Sequence, residues 1–248
     1  MFAASHLRSL CCYPLGVCGR YTVTNPGAIL SEVLGSEDCP ELEARYNVAP
    51  TQLAPVVIAA ENGARRLVQM RWGLVPNWTD TPRARLGMIN ARVETVAEKP
   101  TYRESLYQRR CVVAADGFYE WQRLPGGKQP YLLRLVDGAP FGFAGLWDCW
   151  RDPRGTLLET FTILTTTANA LVKTIHDRMP VILSRQHREE WLSPGIEMRA
   201  LNRLCQPYSV SAMEAVPVSA EVRTMLTIGF LAAFTTFSTF SYETVMLL

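Results

Sequence analysis

The sequence predicts an α+β fold built around antiparallel sheet, and two observations predict it. Short β-rich runs recur along the chain between Gly, Pro and Asp turn signals, and a few helical segments are inserted among them irregularly. Strict alternation of strand and helix would mark a parallel α/β fold, and this order lacks it. The length agrees: 248 residues with 48% apolar content are enough for one sizeable core and demand no second.

In chain order, Gly19–Thr24 reads as a strand opened by Cys18. Asn25-Pro26 then supplies a cap and a first-turn proline for a helix reaching Leu34. β-branched and aromatic runs mark further strands at Pro55–Ala60, Leu67–Trp72, Cys111–Ala115, Tyr131–Val136, Phe141–Trp147 and Phe161–Thr165. The spacing predicts helices over Thr101–Gln108, Arg185–Leu192 and Glu197–Leu204. There is no internal repeat and no low-complexity linker.

Charge excludes one class of mechanism. Lys and Arg number 25 against 23 Asp and Glu, a formal charge of +2, so no field over the whole molecule draws in nucleic acid and any DNA site must be a local patch. Three of the basic residues are lysines; the arginine excess suits fork-like phosphate contacts and a GC-rich genome equally. Seven cysteines without a C-x-x-C pair argue against a disulfide framework and a zinc site, and for a reducing cytoplasm. The first seventeen residues, broken by His6 and Pro14, match a secretory signal poorly.

Several residues invite chemistry. Strand period places Asn90, Arg92 and Glu94 on one face and Ala91, Val93 and Thr95 on the other; taken alone, the polar face is more often a surface ion-pair ladder. In Phe118–Trp121 the same alternation sets Glu120 between Tyr119 and Trp121, and apolar surroundings there would raise its pKa toward neutrality, as a proton shuttle needs. His176, one of three histidines, is by itself more often structural. Free cysteines are commonly buried and inert. Cys18 differs in being followed by Gly19-Arg20, which offers close backbone approach and a cation for a phosphate.

Six segments, taken together, carry a family resemblance: Val17-Cys18-Gly19-Arg20-Tyr21, Arg45-Tyr46-Asn47-Val48-Ala49-Pro50, Arg71-Trp72-Gly73-Leu74, Ile89-Asn90-Ala91-Arg92-Val93-Glu94-Thr95, Asp116-Gly117-Phe118-Tyr119-Glu120-Trp121 and Ile175-His176-Asp177-Arg178-Met179-Pro180. In this order they resemble the motif set of the SRAP family (SOS-response-associated peptidase) over about residues 18–222. The resemblance implies a single domain with antiparallel, barrel-like sheet and peripheral helices. It implies capture of abasic sites in single-stranded DNA as a covalent crosslink, by a monomer in the cytoplasm at the nucleoid, with no metal and no organic cofactor. It assigns the nucleophile to Cys18, orientation of the sugar to Asn90, proton transfer to Glu120 and opening of the sugar ring to His176. Arg20, Arg92 and Arg178 would hold phosphates, while Asn47, Pro50, Trp72 and Trp121 would shape the strand channel and stack bases. A cysteine peptidase or amidase pairing Cys18 with His176, and a non-covalent single-strand binder, are the competing classes.

Both ends depart from the family pattern. In the family this cysteine is the mature N-terminus, whereas here residues 1–17 precede it. Val17 stands directly before Cys18, and a GTG codon encodes valine within a gene but initiates with methionine in bacteria. The expected working chain therefore begins at Cys18; a pro-segment removed by self-cleavage is the alternative. Residues 223–248 form an apolar tail whose stretch from Gly229 to Thr244 resembles a segment of the Fluc fluoride channels. Its roughly sixteen apolar residues fall short of the about twenty that span a bilayer, so stable membrane insertion is not expected.

Overall fold

The computed structural model describes residues 18–34, 42–60, 63–80, 88–195 and 197–219. Its centre is a closed ring of five strands. β3 (Leu53–Ala59) pairs antiparallel with β4 (Arg65–Trp72) on one side and β6 (Arg110–Ala115) on the other. From β6 the ring continues to β9 (Phe141–Arg151) and β10 (Leu157–Thr167), and β10 returns to β4 in parallel, which leaves the ring without a free edge. Val56, Val113, Phe143, Leu146, Phe161 and Ile163 are among its fully buried residues. Where β9 crosses β6, a Cβ on Gly145 would stand 2.8 Å from Cys111 Sγ, so only glycine fits that approach.

A second, wholly antiparallel sheet lies against the ring. Its order is β13 (Met213–Pro217), β8 (Gly127–Leu135), β7 (Gly117–Leu124), β1 (Arg20–Val23) and β2 (Arg45–Val48). Edge-to-face ring contacts from Tyr21 to Trp72 and Phe143, and from Phe118 to Phe143, join the two sheets into one core. Three short strands complete the set: β5 (Asn90–Arg92) and β11 (Arg178–Pro180) both lie on the C-terminal half of β10, and β12 (Ile182–Leu183) lies on β9.

The helices are peripheral. α1 (Pro26–Ile29) begins at its proline and continues as a π-turn over Leu30–Leu34. α2 (Val93–Val96), α3 (Pro100–Gln108), α4 (Arg185–Leu192) and α5 (Met198–Leu204) follow, with Ser184 capping α4 by accepting the His187 N–H. The α+β architecture is as the sequence predicts, with two parallel pairings added, both made by β10.

Three local expectations change. Cys18 and Gly19 lie just ahead of β1 instead of opening it. The strand expected through residue 95 ends at Arg92, because a helical turn over Val93–Val96 buries Val96 while Glu94 stays at the surface; Glu94 therefore does not share a strand face with Asn90 and Arg92. β8, β9 and β10 run beyond their apolar centres, because the β7–β8 and β9–β10 ladders stay paired out to Leu124–Gly127 and Arg151–Leu157. Residues 1–17 and 220–248, which hold the upstream extension and the apolar tail, are outside the described residues.

One carboxylate ties β1 to the turn between β6 and β7. Asp116 accepts from Thr22 Oγ1 at 2.5 Å, the Thr24 amide, Thr24 Oγ1 at 2.7 Å and the Asn25 amide at 2.9 Å. Asp116→Ala is expected to lower the unfolding free energy by about 2–4 kcal/mol, measured by urea denaturation. A loss below roughly 1 kcal/mol would mean that the clasp does not hold β1 in place.

Candidate functional site

Register places the first candidate pair. Arg20 stands opposite Tyr119 in the β1–β7 ladder, so the residues before β1 run alongside Glu120 and Trp121. Alternation on β7 sends Glu120 to the same side as the core residue Phe118, and only 3% of it is exposed. The Cys18 nitrogen donates to Glu120 Oε1 at 2.6 Å. Burial pushes the Glu120 carboxyl up to about 8, against the downward pull of the Cys18 and Trp121 amides and with a further upward push from the charge of Asp177. Cys18 is fully buried, its Sγ lies 4.0 Å from Arg20 O, and burial together with the Glu120 charge pushes its thiol well above the ordinary range. Its φ of 47° is left-handed, which costs a residue with a Cβ roughly 1–2 kcal/mol.

Arg20, Asn47 and Trp121 lie on the same sheet, and Pro50 follows its edge strand β2. Arg20 NH1 donates to Asn47 Oδ1 at 2.8 Å, and Tyr119 OH donates to Tyr46 O at 3.1 Å. Pro50 opens the turn between β2 and β3, where Thr51 takes a φ of 73° and donates its amide to Trp72 O at 2.8 Å. A β-branched residue in that conformation has no warning in sequence, and the turn beside Pro50 was not anticipated as strained. Trp121 is half-buried and packs on Tyr119, as do Leu132 and Val218.

The other candidates are arranged around β10. Asn90 and Arg92 stand on β5 opposite Ile163 and Thr165, and Arg178 opens β11 opposite Thr167. The Arg178 amide donates to His176 Nδ1 at 3.0 Å, so a neutral His176 carries its proton on Nε2. Asp177 Oδ1 lies 3.1 Å from the same Nδ1 and becomes a hydrogen-bond partner only when that nitrogen carries a proton. The two groups of candidates meet where Gln122 of β7 donates to Thr174 O at 2.8 Å, two residues before His176. No hydrogen bond among the described residues joins His176 to Cys18 or Glu120.

Trp72 needs a correction. It is fully buried, its indole N–H bonds Ile89 O at 2.9 Å, and its ring packs on Tyr21 and Phe161, so it offers no face on which a base can stack. Arg178 also differs from a free phosphate ligand: its guanidinium makes a two-pronged pair with Glu94, whose partner lies 84 residues away and could not be read from local sequence. Among the described residues no cluster of three or more His, Cys, Asp or Glu side chains is placed to hold a metal.

A model of the family described as SOS response associated peptidase (SRAP) matches residues 17–225. The chain belongs to the SRAP family.

Its relatives share most of its length. The abasic site processing protein YoqW of Bacillus subtilis is 42% identical over 211 residues, covering 83% of this chain and 94% of that protein. The abasic site processing protein HMCES of Xenopus tropicalis is 35% identical over 188 residues, covering 64% of this chain and 56% of that protein. A solved structure from Bacteroides thetaiotaomicron superposes with a TM-score of 0.74 at 26% identity, over 84% of this chain and 94% of that one. The stretch resembling a channel segment lies outside both the described residues and the SRAP match.

The raised carboxyl gives this SRAP domain a pH signature. Between the ordinary 4.5 and about 8, the folded chain continuing through Val17 keeps a proton on Glu120 that the unfolded chain has lost. Stability therefore falls as pH rises through that window and levels off above it. Glu120→Gln, neutral throughout, is expected to remove this part of the fall in thermal melts between about pH 5 and about pH 9. Parallel curves for the two proteins would show that Glu120 ionises normally.

Proposed function

We propose that this SRAP protein captures abasic sites in single-stranded DNA by closing a thiazolidine on the α-amine and thiol of Cys18, as a monomer in the cytoplasm acting at the nucleoid. The observation that carries the reading is the 2.6 Å contact between the Cys18 nitrogen and the buried Glu120 carboxyl. In the chain that continues through Val17 this nitrogen is an amide and Cys18 is fully buried, so neither of its groups is available to a sugar. A chain beginning at Cys18 would place an α-amine at the same carboxyl and would free the backbone from its left-handed torsion. Either a start at the Val17 codon followed by removal of the initiator methionine, or self-cleavage, would supply that terminus. The names of YoqW and HMCES as abasic site processing proteins support the substrate.

An abasic deoxyribose exists partly as a ring-opened aldehyde. The α-amine, with a pKa near 7.7–8.0 against about 10.4 for lysine, is unprotonated roughly 300 times more often at neutral pH. It adds to the aldehyde carbon and water leaves, giving an imine. The thiol then adds to the imine carbon, its proton ends on nitrogen, and a hydrolysable Schiff base becomes a five-membered ring. Glu120, beside the Cys18 nitrogen, would donate to the departing hydroxyl and accept from the thiol. In this scheme Asn90 orients the sugar and His176 opens its ring, with Nε2–H facing outward from the Arg178 amide. Arg20 and Arg92 would neutralise phosphates, and Asn47, Pro50 and Trp121 would shape the channel for the strand.

A thiol hydrolase is the second reading, and the sulfur's surroundings weigh against it. Burial and the charge of Glu120 disfavour a Cys18 thiolate, and His176 makes no hydrogen bond to the sulfur among the described residues. No helix among the described residues is long and apolar enough to cross a membrane. Cys18→Ala is expected to abolish a heat- and denaturant-stable adduct with an abasic oligonucleotide, while Cys111→Ala and Cys149→Ala keep it. Cys18→Ser should form an imine that borohydride traps but that hydrolyses otherwise. Undiminished crosslinking by Cys18→Ala would sink the proposal and point to another nucleophile.

A further inference from the structure

Arg178 is held on two sides by groups that the abasic-site chemistry does not use. Its NH1 donates to Glu94 Oε1 at 2.6 Å, its NH2 to Glu94 Oε2 at 2.9 Å, and the same NH2 to Thr165 O at 2.6 Å. The Arg178 side chain is 12% exposed and that of Glu94 49%. Thr165 is the residue of β10 that stands opposite Arg92 of β5 and Pro180 of β11. The ion pair therefore reaches across β10, from the turn that follows β5 to the first residue of β11. At one end of this bridge is the strand that bears Asn90, and at the other is the amide that fixes Nδ1 of His176.

A surface ion pair adds little to stability, because exposed side chains are screened by water and lose freedom when paired. Its geometric effect is separate. A two-pronged arginine–carboxylate pair fixes direction as well as distance, and the carbonyl of Thr165 leaves the guanidinium one orientation in which all three bonds form. Without Glu94, Arg178 NH1 loses its acceptor, and the exposed carboxylate of Asp177 is the adjacent replacement. Turning toward Asp177 would pull on the backbone at residues 177 and 178, whose amide holds the His176 ring.

We infer that Glu94 is a positioning residue for abasic-site capture: acting through Arg178, it holds the His176 ring in register with Asn90. The inference rests on the roles proposed above for His176 and Asn90. It assigns Glu94 no contact with the sugar.

The test is a double-mutant cycle on the single-turnover rate of adduct formation, with saturating abasic single-stranded oligonucleotide, together with the imidazole nitrogen NMR spectrum of the DNA-free protein. Glu94→Ala is expected to slow adduct formation by about tenfold to a hundredfold, with Glu94→Gln between it and the wild type. Added to Arg178→Ala, Glu94→Ala should cost nothing more. In the spectrum, neutral wild-type His176 should show one tautomer, with the proton on Nε2, and Glu94→Ala should show a mixture. An unchanged rate, an equal loss in the Arg178→Ala background, or an unchanged His176 tautomer would each overturn the inference. If wild-type protein formed no Cys18-dependent adduct, the proposed function would fall instead, and the spectrum, which needs no DNA, would still decide whether Glu94 positions His176.

Discussion

A carboxyl buried beside the residue that precedes β1 is the constraint on which the rest of the site depends. Burying an ionisable group is costly unless it is protonated or paired, and Glu120 is placed to be either, against the nitrogen of Cys18. The arrangement exists only while β1 keeps its register on β7. A slip of one residue would send Glu120 to the other face and Tyr119 into the core. The Asp116 clasp at the end of β1 and the packing of Tyr21 between Trp72 and Phe143 both act on that register, so they belong to the site although neither meets a substrate.

β10 organises the other half. Its first residues close the barrel against β9 and β4, and its last residues receive β5 and β11, so one strand carries Asn90 on one side and the His176 loop on the other. Groups more than eighty residues apart in sequence are thus set by pairing to a common strand. The closed ring supports the junction from below and has no edge along which the pairing could drift.

Much of this was legible in the sequence. The apolar centres of the strands showed because β-branched and aromatic residues mark a buried pleat, and the alternation in Phe118–Trp121 was enough to expect a raised Glu120. What stayed hidden depends on partners distant in the chain. Trp72 looked available because an aromatic within a motif is ambiguous until its neighbours are known, and Tyr21 and Phe161 cover it. Glu94 looked like a member of a strand face because the pattern from Asn90 to Val96 satisfies a strand and a helical turn alike. β2 is four residues long and lies on a sheet edge, so its alternation of Tyr46 and Val48 with polar residues is too short to mark a strand. The left-handed backbone of Cys18 and Thr51 is imposed by tertiary contacts and leaves no trace in composition.

The account turns on Cys18 acting as a terminal aminothiol. The most direct measurement is the intact mass of protein purified from its own host, before and after incubation with a single-stranded oligonucleotide bearing one abasic site, followed by mapping of the modified peptide. The predicted result is a chain that begins at Cys18 and gains the mass of the oligonucleotide less one water, with the modification on its N-terminal peptide. A stable adduct on a chain still carrying Met1 to Val17, or one mapped to a peptide without Cys18, would contradict it.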